Sequence, residues 1–158
     1  MGKVFWRERK NHQLNYYQQQ QSPYADIQVD KNHSAQALAD KASAFLDENP
    51  FANLTLVFHS QGSDIGQRAL DRLTSYKRRI HVVTIGGMVD IPDAFAKRVV
   101  NFDNQGDMIS QFAKKVFSKP LPATKVTMRG TSHDSSAYLS SSPVQRTIKV
   151  LSRPNVYA

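Results

Sequence analysis

Three residues in this chain carry side chains that can hand a proton along a line: Ser60, Asp107 and His133. An alkyl hydroxyl is a weak nucleophile near neutral pH and attacks a carbonyl only when a base within hydrogen-bond reach takes its proton. Imidazole suits that task because it exchanges a proton close to neutrality. A carboxylate on the far side of the ring holds the required tautomer and stabilises the imidazolium that forms. Each of the three residues follows a stretch that reads as a strand. Ser60 comes just after the apolar run Leu54-Thr55-Leu56-Val57-Phe58. A helical pattern begins at once, with Ile65, Ala69, Leu73 and Tyr76 on one face and Arg68, Asp71, Arg72 and Ser75 on the other. Asp107 closes the polar turn after Val99-Val100-Asn101-Phe102, and His133 lies in the loop after Thr124-Lys125-Val126-Thr127-Met128. Asp103 is the rival for the acid, and loop position favours Asp107. His59, next to the serine, points away from it along the chain and is expected to be a rim or packing residue.

The elements that must position these residues can be read in order. Residues 34–48 carry the apolar stripe Ala35, Leu38, Ala42, Phe45 and Leu46, and Asn49-Pro50 stops the helix. A strand over 54–58 and a helix over 61–76 follow. Ile80-His81-Val82-Val83-Thr84-Ile85 is β-branched and nearly continuous, as a buried parallel strand should be. Short helices are predicted over 92–97 and 111–117, strands over 99–102 and 124–128, and a last helix from 142, where Ser142-Pro143 marks a helix start. Residues 1–33 are the least readable: a short strand near Lys3-Val4-Phe5-Trp6-Arg7, a glutamine tract over 18–21, and an extended piece over 26–30. Trp6, Tyr16, Tyr17 and Tyr24 are expected to cover an edge of the core. Strands alternating with helices predict an α/β fold: one small parallel sheet in a three-layer α/β/α arrangement, with a single domain over residues 1–158. Ligands of such sheets bind beyond the carboxyl ends of the strands. That rule gathers Ser60, Gly86-Gly87, Asp107 and His133 on one rim. The glycine pair reads as backbone clearance beside the serine turn, since no phosphate-binding glycine pattern is present.

Composition narrows the function classes. With no cysteine, disulfides and thiolate metal sites are excluded, and His12, His33 and His81 lack metal-ligand spacing. No metal and no cofactor is expected. No apolar run approaches the roughly 20 residues of a membrane span, and the charged start lacks the apolar core of a signal peptide. The compartment stays open, with the cytoplasm the favoured expectation. The net charge of +8 comes from scattered groups such as Lys77-Arg78-Arg79 and Lys114-Lys115. A solvated basic surface accounts for it, and attraction to an anionic membrane surface is the sharper expectation. Nucleic acid is not expected as a partner, because no zinc-finger or RNA-binding signature accompanies the charge. The oligomeric state is not predicted.

The pieces around the three residues resemble a known family. Phe58-His59-Ser60-Gln61-Gly62 resembles the Gly-x-Ser-x-Gly nucleophile elbow of α/β-hydrolase lipases and esterases. The segment from Asn101 to Ile109 looks like their acid-bearing turn, and Ser132-His133-Asp134-Ser135-Ser136-Ala137-Tyr138-Leu139 like their histidine loop. The order Ser, Asp, His is theirs as well. The resemblance covers about residues 34–152 and implies a minimal or N-terminally reduced α/β-hydrolase-like fold. It implies a Ser60–Asp107–His133 triad that cleaves carboxylic esters, lipid esters included, through an acyl-serine intermediate. The Gln61 amide would be one oxyanion donor. The second would come from residues 3–12 or be missing. Phe58 stands where the family has its first elbow glycine, so the turn needs room for a bulky ring. The alternative is a catalytically inactive domain of the same fold that binds through its basic surface.

Overall fold

The computed structural model describes residues 3–6 and 24–153. The strands are β1 (Lys3–Trp6), β2 (Leu54–His59), β3 (Ile80–Ile85), β4 (Arg98–Asn104) and β5 (Lys125–Met128). The helices are α1 (Tyr24–Glu48), α2 (Gly62–Asp71), α3 (Met108–Phe117), α4 (Ser135–Leu139) and α5 (Ser142–Leu151). The five strands form one sheet in the order β1-β2-β3-β4-β5, and every neighbouring pair is parallel. Parallel neighbours require each connection to cross back over the sheet, so all strands deliver their carboxyl ends to one edge. This is a small α/β fold with helices flanking a parallel sheet.

Strand alternation divides the core in two. Leu54, Leu56, Phe58, Ile80 and Val82 join α1 and α2 residues, among them Ala35, Leu38, Leu46, Ile65 and Leu70, in one buried cluster. Val57, Val83, Ile85 and Phe102 face the other way and pack with Tyr138 of α4 and Val144 and Leu151 of α5. Every residue of β3 is buried, as expected for a central strand covered on both faces. Asn101 supplies the main polar joint within the sheet. Its Oδ1 accepts from Thr84 Oγ1 (2.9 Å) and the Ile91 amide (3.0 Å), and its Nδ2 donates to the Ile91 and Thr124 carbonyls. It is fully buried with its amide satisfied at both ends, so it fixes the loop before β4 at little desolvation cost.

The structure departs from sequence expectation at helix ends. Residues 26–30 belong to α1 and are not extended. The alternation in Ile27-Gln28-Val29-Asp30 suggests a strand, yet no glycine or proline interrupts residues 24–48, and an established helix propagates at little cost per residue. The helix expected over 61–76 is two pieces: α2 ends at Asp71, and a 3-10 turn spans Thr74–Arg79. The Arg72 and Leu73 amides bond three residues back, to Ala69 and Leu70, which tightens and ends the α-helix. Residues 93–95 form only a 3-10 turn, and α4 is too short to show a period. The short strand at Lys3–Trp6 is present. The glutamine tract and the covering role expected of Trp6, Tyr16, Tyr17 and Tyr24 lie outside the described residues and side chains. Among the described residues, no helix is long and apolar enough to cross a membrane.

Candidate active site

Ser60 follows β2 directly and adopts φ = 53°, the left-handed region. Among the described residues it is the one non-glycine residue with positive φ. That conformation costs an L-residue roughly 1–2 kcal/mol, so it persists only where its surroundings over-determine it. Three donors do so here. The Ser60 carbonyl accepts from the Ser63 amide (3.1 Å), Ser63 Oγ (2.8 Å) and the Met88 amide (3.1 Å). Ser63 is fully buried, and its Oγ also accepts from the amides of Met88 (2.8 Å) and Val89 (3.1 Å). One small hydroxyl thus ties the serine turn to the loop after β3.

Phe58, the residue that departs from the glycine pattern, finds its room at Gly66. A Cβ built at Gly66 would overlap the Phe58 ring, whereas one at Gly62 would meet only ordinary contact with Phe58. The close approach has moved one helical turn along α2. Gly86 has φ = 53°, and a Cβ there would sit 2.9 Å from both Asp107 Oδ2 and the Tyr138 ring. The expected backbone clearance at Gly86-Gly87 is therefore present, and it serves the acid as well as the elbow.

The three sequence-predicted side chains meet. Ser60 Oγ lies 3.0 Å from His133 Nε2, and His133 Nδ1 lies 2.9 and 2.8 Å from Asp107 Oδ1 and Oδ2. An ionised carboxylate only accepts, so Nδ1 carries the hydrogen and Nε2 is left to accept from the Ser60 hydroxyl. Asp103 is not brought to the histidine: its Oδ1 lies 2.8 Å from Ser110 Oγ, and its Oδ2 pairs with Lys114. His59 does more than line the rim. Its Nε2 donates to the His133 carbonyl (2.7 Å), and the two rings lie 5.0 Å apart at 40°, so it anchors the histidine loop.

Asp107 is buried and caps α3, with Oδ1 accepting from the Ser110 amide at 3.0 Å. Tyr138 donates its hydroxyl to Oδ2 (2.7 Å) and accepts from the Asn104 amide (2.8 Å). Burial pushes the Asp107 carboxyl up, but the Ser110 amide, the Tyr138 hydroxyl and His133 together outweigh it and hold the group below its ordinary value. Burial, with Asp107 beside it, raises Tyr138 far above the usual phenol range. Beneath the site, Lys114 pairs with Asp90 (2.6 Å) and with Asp103, and Ser110 Oγ lies 2.8 Å from the Gly87 carbonyl. Sequence patterns mark Tyr138 only as part of a loop resemblance, give Ser110 no role, and put Lys114 among the solvated surface cations, whereas its side chain is nearly buried between Asp90 and Asp103. Their signal, small polar residues and a lysine at one-turn spacing, is common to many helices.

Among the described residues, nothing accepts from the Gln61 amide, which opens the turn into α2 beside Ser60. β1 pairs with β2 in parallel through Trp6 opposite Val57, so the carboxyl end of β1 lies on the serine edge of the sheet. Residues 7–12, the other part of the expected oxyanion segment, lie outside the described residues. An open groove of about 580 Å³ runs along β5, lined by Asn104, Met128, Ser132 and Pro143, and Ser60 is not part of it. His81 lies in β3, where burial and then Lys97 and Arg98 lower its pKa. Among the described residues, no group of three His, Asp or Glu side chains could hold a metal ion. No protein-family model, curated protein or solved structure matches this chain, so the hydrogen-bonded line from Ser60 to Asp107 stands on this molecule's own geometry.

Proposed function

We propose that the chain is a serine hydrolase of α/β-hydrolase type that cleaves carboxylic esters through an acyl-serine intermediate. The continuous hydrogen-bonded line Ser60 Oγ–His133–Asp107 carries the reading. Ser60 Oγ attacks the ester carbonyl carbon while His133 Nε2 takes the hydroxyl proton. Asp107, ionised and held by Ser110 and Tyr138, stabilises the imidazolium without taking the proton itself. The negative charge that develops on the carbonyl oxygen is stabilised by the Gln61 amide and the N-terminal end of α2. As the tetrahedral intermediate collapses, the imidazolium protonates the leaving alcohol. Water then attacks the acyl-serine while His133 takes its proton, and as the second tetrahedral intermediate collapses the imidazolium returns that proton to Ser60 Oγ and a carboxylic acid is released. The strained φ of Ser60 supports the same reading, since it lifts the hydroxyl out of the strand at a local cost that Ser63 and Met88 offset.

A fluorophosphonate probe phosphonylates an activated serine and tests this directly. Labelling of the full chain is expected, with complete loss in Ser60→Ala. Asp107→Asn should slow hydrolysis of p-nitrophenyl butyrate by about 10³–10⁴-fold, because the ring loses its tautomer control. A folded sample that takes no label would overturn the hydrolase and leave the binding domain of the same fold.

A further inference from the structure

Helix α3 is built inside out. Its inward side is polar or small: Ser110 and Ala113 are buried, Lys114 turns back to Asp90 and Asp103, and Gln111 donates to the Asn104 and Gln105 carbonyls. Its outward side is apolar. Met108 is 70% exposed, Phe112 71% and Val116 59%, and Ile109, Phe117 and Leu121 are exposed beside them. Met108, Phe112 and Val116 recur every four residues and so form a stripe along one face. A solvated helix would have the reverse pattern, and large contiguous apolar patches mark contact surfaces.

Charge says what kind of contact. From Met108 to His133 the sequence holds Lys114, Lys115, Lys119, Lys125 and Arg129 and no acidic residue. Lys114 and Lys125 are neutralised by Asp90 and Asp103 together, but Lys115 stands exposed on α3 itself, and Lys119 follows close behind with its ammonium over the Phe95 ring. Exposed Phe, Met, Ile and Val flanked by lysines is the make-up of a helix that lies in the headgroup boundary of an anionic bilayer. A second copy of the chain is a poor occupant, since it would bring the same lysines and the same net charge of +8 against them.

We infer that the outer face of α3 docks the protein on anionic lipid surfaces. Phe112 and Val116 enter the acyl boundary, and Lys115 and Lys119 meet phosphate. The stripe begins at Met108, one residue after Asp107, so docking would bring the Ser60 rim to the membrane. That last step rests on the proposed ester hydrolysis and makes a membrane-borne lipid ester the substrate class. The docking itself does not.

Cosedimentation of the full chain with phosphatidylglycerol and phosphatidylcholine vesicles tests it. Binding to phosphatidylglycerol is expected, weakened about tenfold or more in the Phe112→Ser/Val116→Ser variant, which loses buried apolar area. Each lysine near such a surface strengthens binding roughly fivefold, so Lys115→Glu/Lys119→Glu should weaken it further, and raised salt should act the same way. Binding that ignores Phe112 and Val116, or no binding to phosphatidylglycerol, overturns the inference. So does a dimer in sedimentation velocity that the serine variant dissociates, because a second copy then covers the face. Hydrolysis of soluble p-nitrophenyl butyrate, measured on the same samples, separates the two ideas. Vesicle binding without hydrolysis sinks the enzyme alone, and hydrolysis without vesicle binding sinks the docking alone.

Discussion

The Tyr138 hydroxyl sits between an amide it accepts from and a carboxylate it donates to, and that position gives it opposite effects at the two ends of the pH scale. Asp107 has a native pKa below its ordinary value of 3.8. Its contribution to stability is therefore present above that value and is lost as pH falls through the lowered native one. Tyr138→Phe removes one of the donors that lower it. The native pKa should rise toward 3.8, the contribution should shrink, and the acid unfolding limb should begin at higher pH. The Asn104 amide would also lose its acceptor in a buried place, and the combined cost is about 2–3 kcal/mol near neutrality. At the alkaline end the sign is reversed. The raised native pKa of Tyr138 means its contribution is present below about pH 10 and is lost as pH rises further, so the phenylalanine variant should have the flatter alkaline limb. Urea midpoints measured across pH would show both changes, and an unmoved acid limb would mean that Tyr138 does not hold the carboxylate. Ser60, Asp107 and His133 were legible in the sequence because each follows a strand and topology sends all strand ends to one rim. Tyr138 and Ser110 were not, because hydroxyls that support a site have no spacing of their own until the fold brings them to it.

At the scale of elements, the contact between β2 and α2 turns on Phe58 and Gly66. Glycine inside a helix ordinarily costs roughly 0.5–1 kcal/mol relative to alanine. Gly66→Ala should nonetheless destabilise the protein, because the new methyl would overlap the Phe58 ring. Phe58→Ala, which empties a buried position, should cost about 3–5 kcal/mol. In that background the overlap is gone, and Gly66→Ala should change sign and stabilise by roughly 0.5–1 kcal/mol. A double-mutant cycle by chemical denaturation measures this. Additive costs would show that the ring does not depend on the glycine. The same contact shows how far the sequence could be read. The strand, the turn and the buried stripe Ile65, Ala69 and Leu73 follow from period and composition, and the structure buries all three. Which glycine makes room for Phe58 is a matter of ring direction, and a linear pattern does not carry it. Helix ends escape a linear pattern for a related reason. Hydrogen bonds three residues back at Arg72 and Leu73, or the uninterrupted run of α1, depend on local backbone choices among near-equal options.

Across the whole molecule, stability should be graded from the centre of the sheet outward. β3 has a partner strand on each side, cores on both faces and every residue buried, so its amides can open only when the whole domain does. Helix α3 is different. It buries only Ser110 and Ala113, and polar bonds through Lys114 and Gln111 hold it to the sheet. Such bonds are worth about 0.5–1.5 kcal/mol each when neutral and somewhat more when charged, and the exposed apolar stripe adds nothing in water. The α3 amides should therefore exchange through a smaller opening, with lower free energy and a shallower denaturant slope than those of β3. Asp107 need not follow them, because its links to Tyr138 and His133 and the bond from its amide to the Asn104 carbonyl lie outside the helix. Native-state hydrogen exchange read residue by residue by NMR at low denaturant resolves the two classes. If α3 and β3 gave the same free energy and slope, the helix would be part of the central cooperative unit, and its few buried contacts would be stronger than their number suggests. If α3 is the weaker unit, adding phosphatidylglycerol vesicles should raise the opening free energy of its amides, and that of the β3 amides by the same amount, because the docked helix is lost both in its own opening and in the global one.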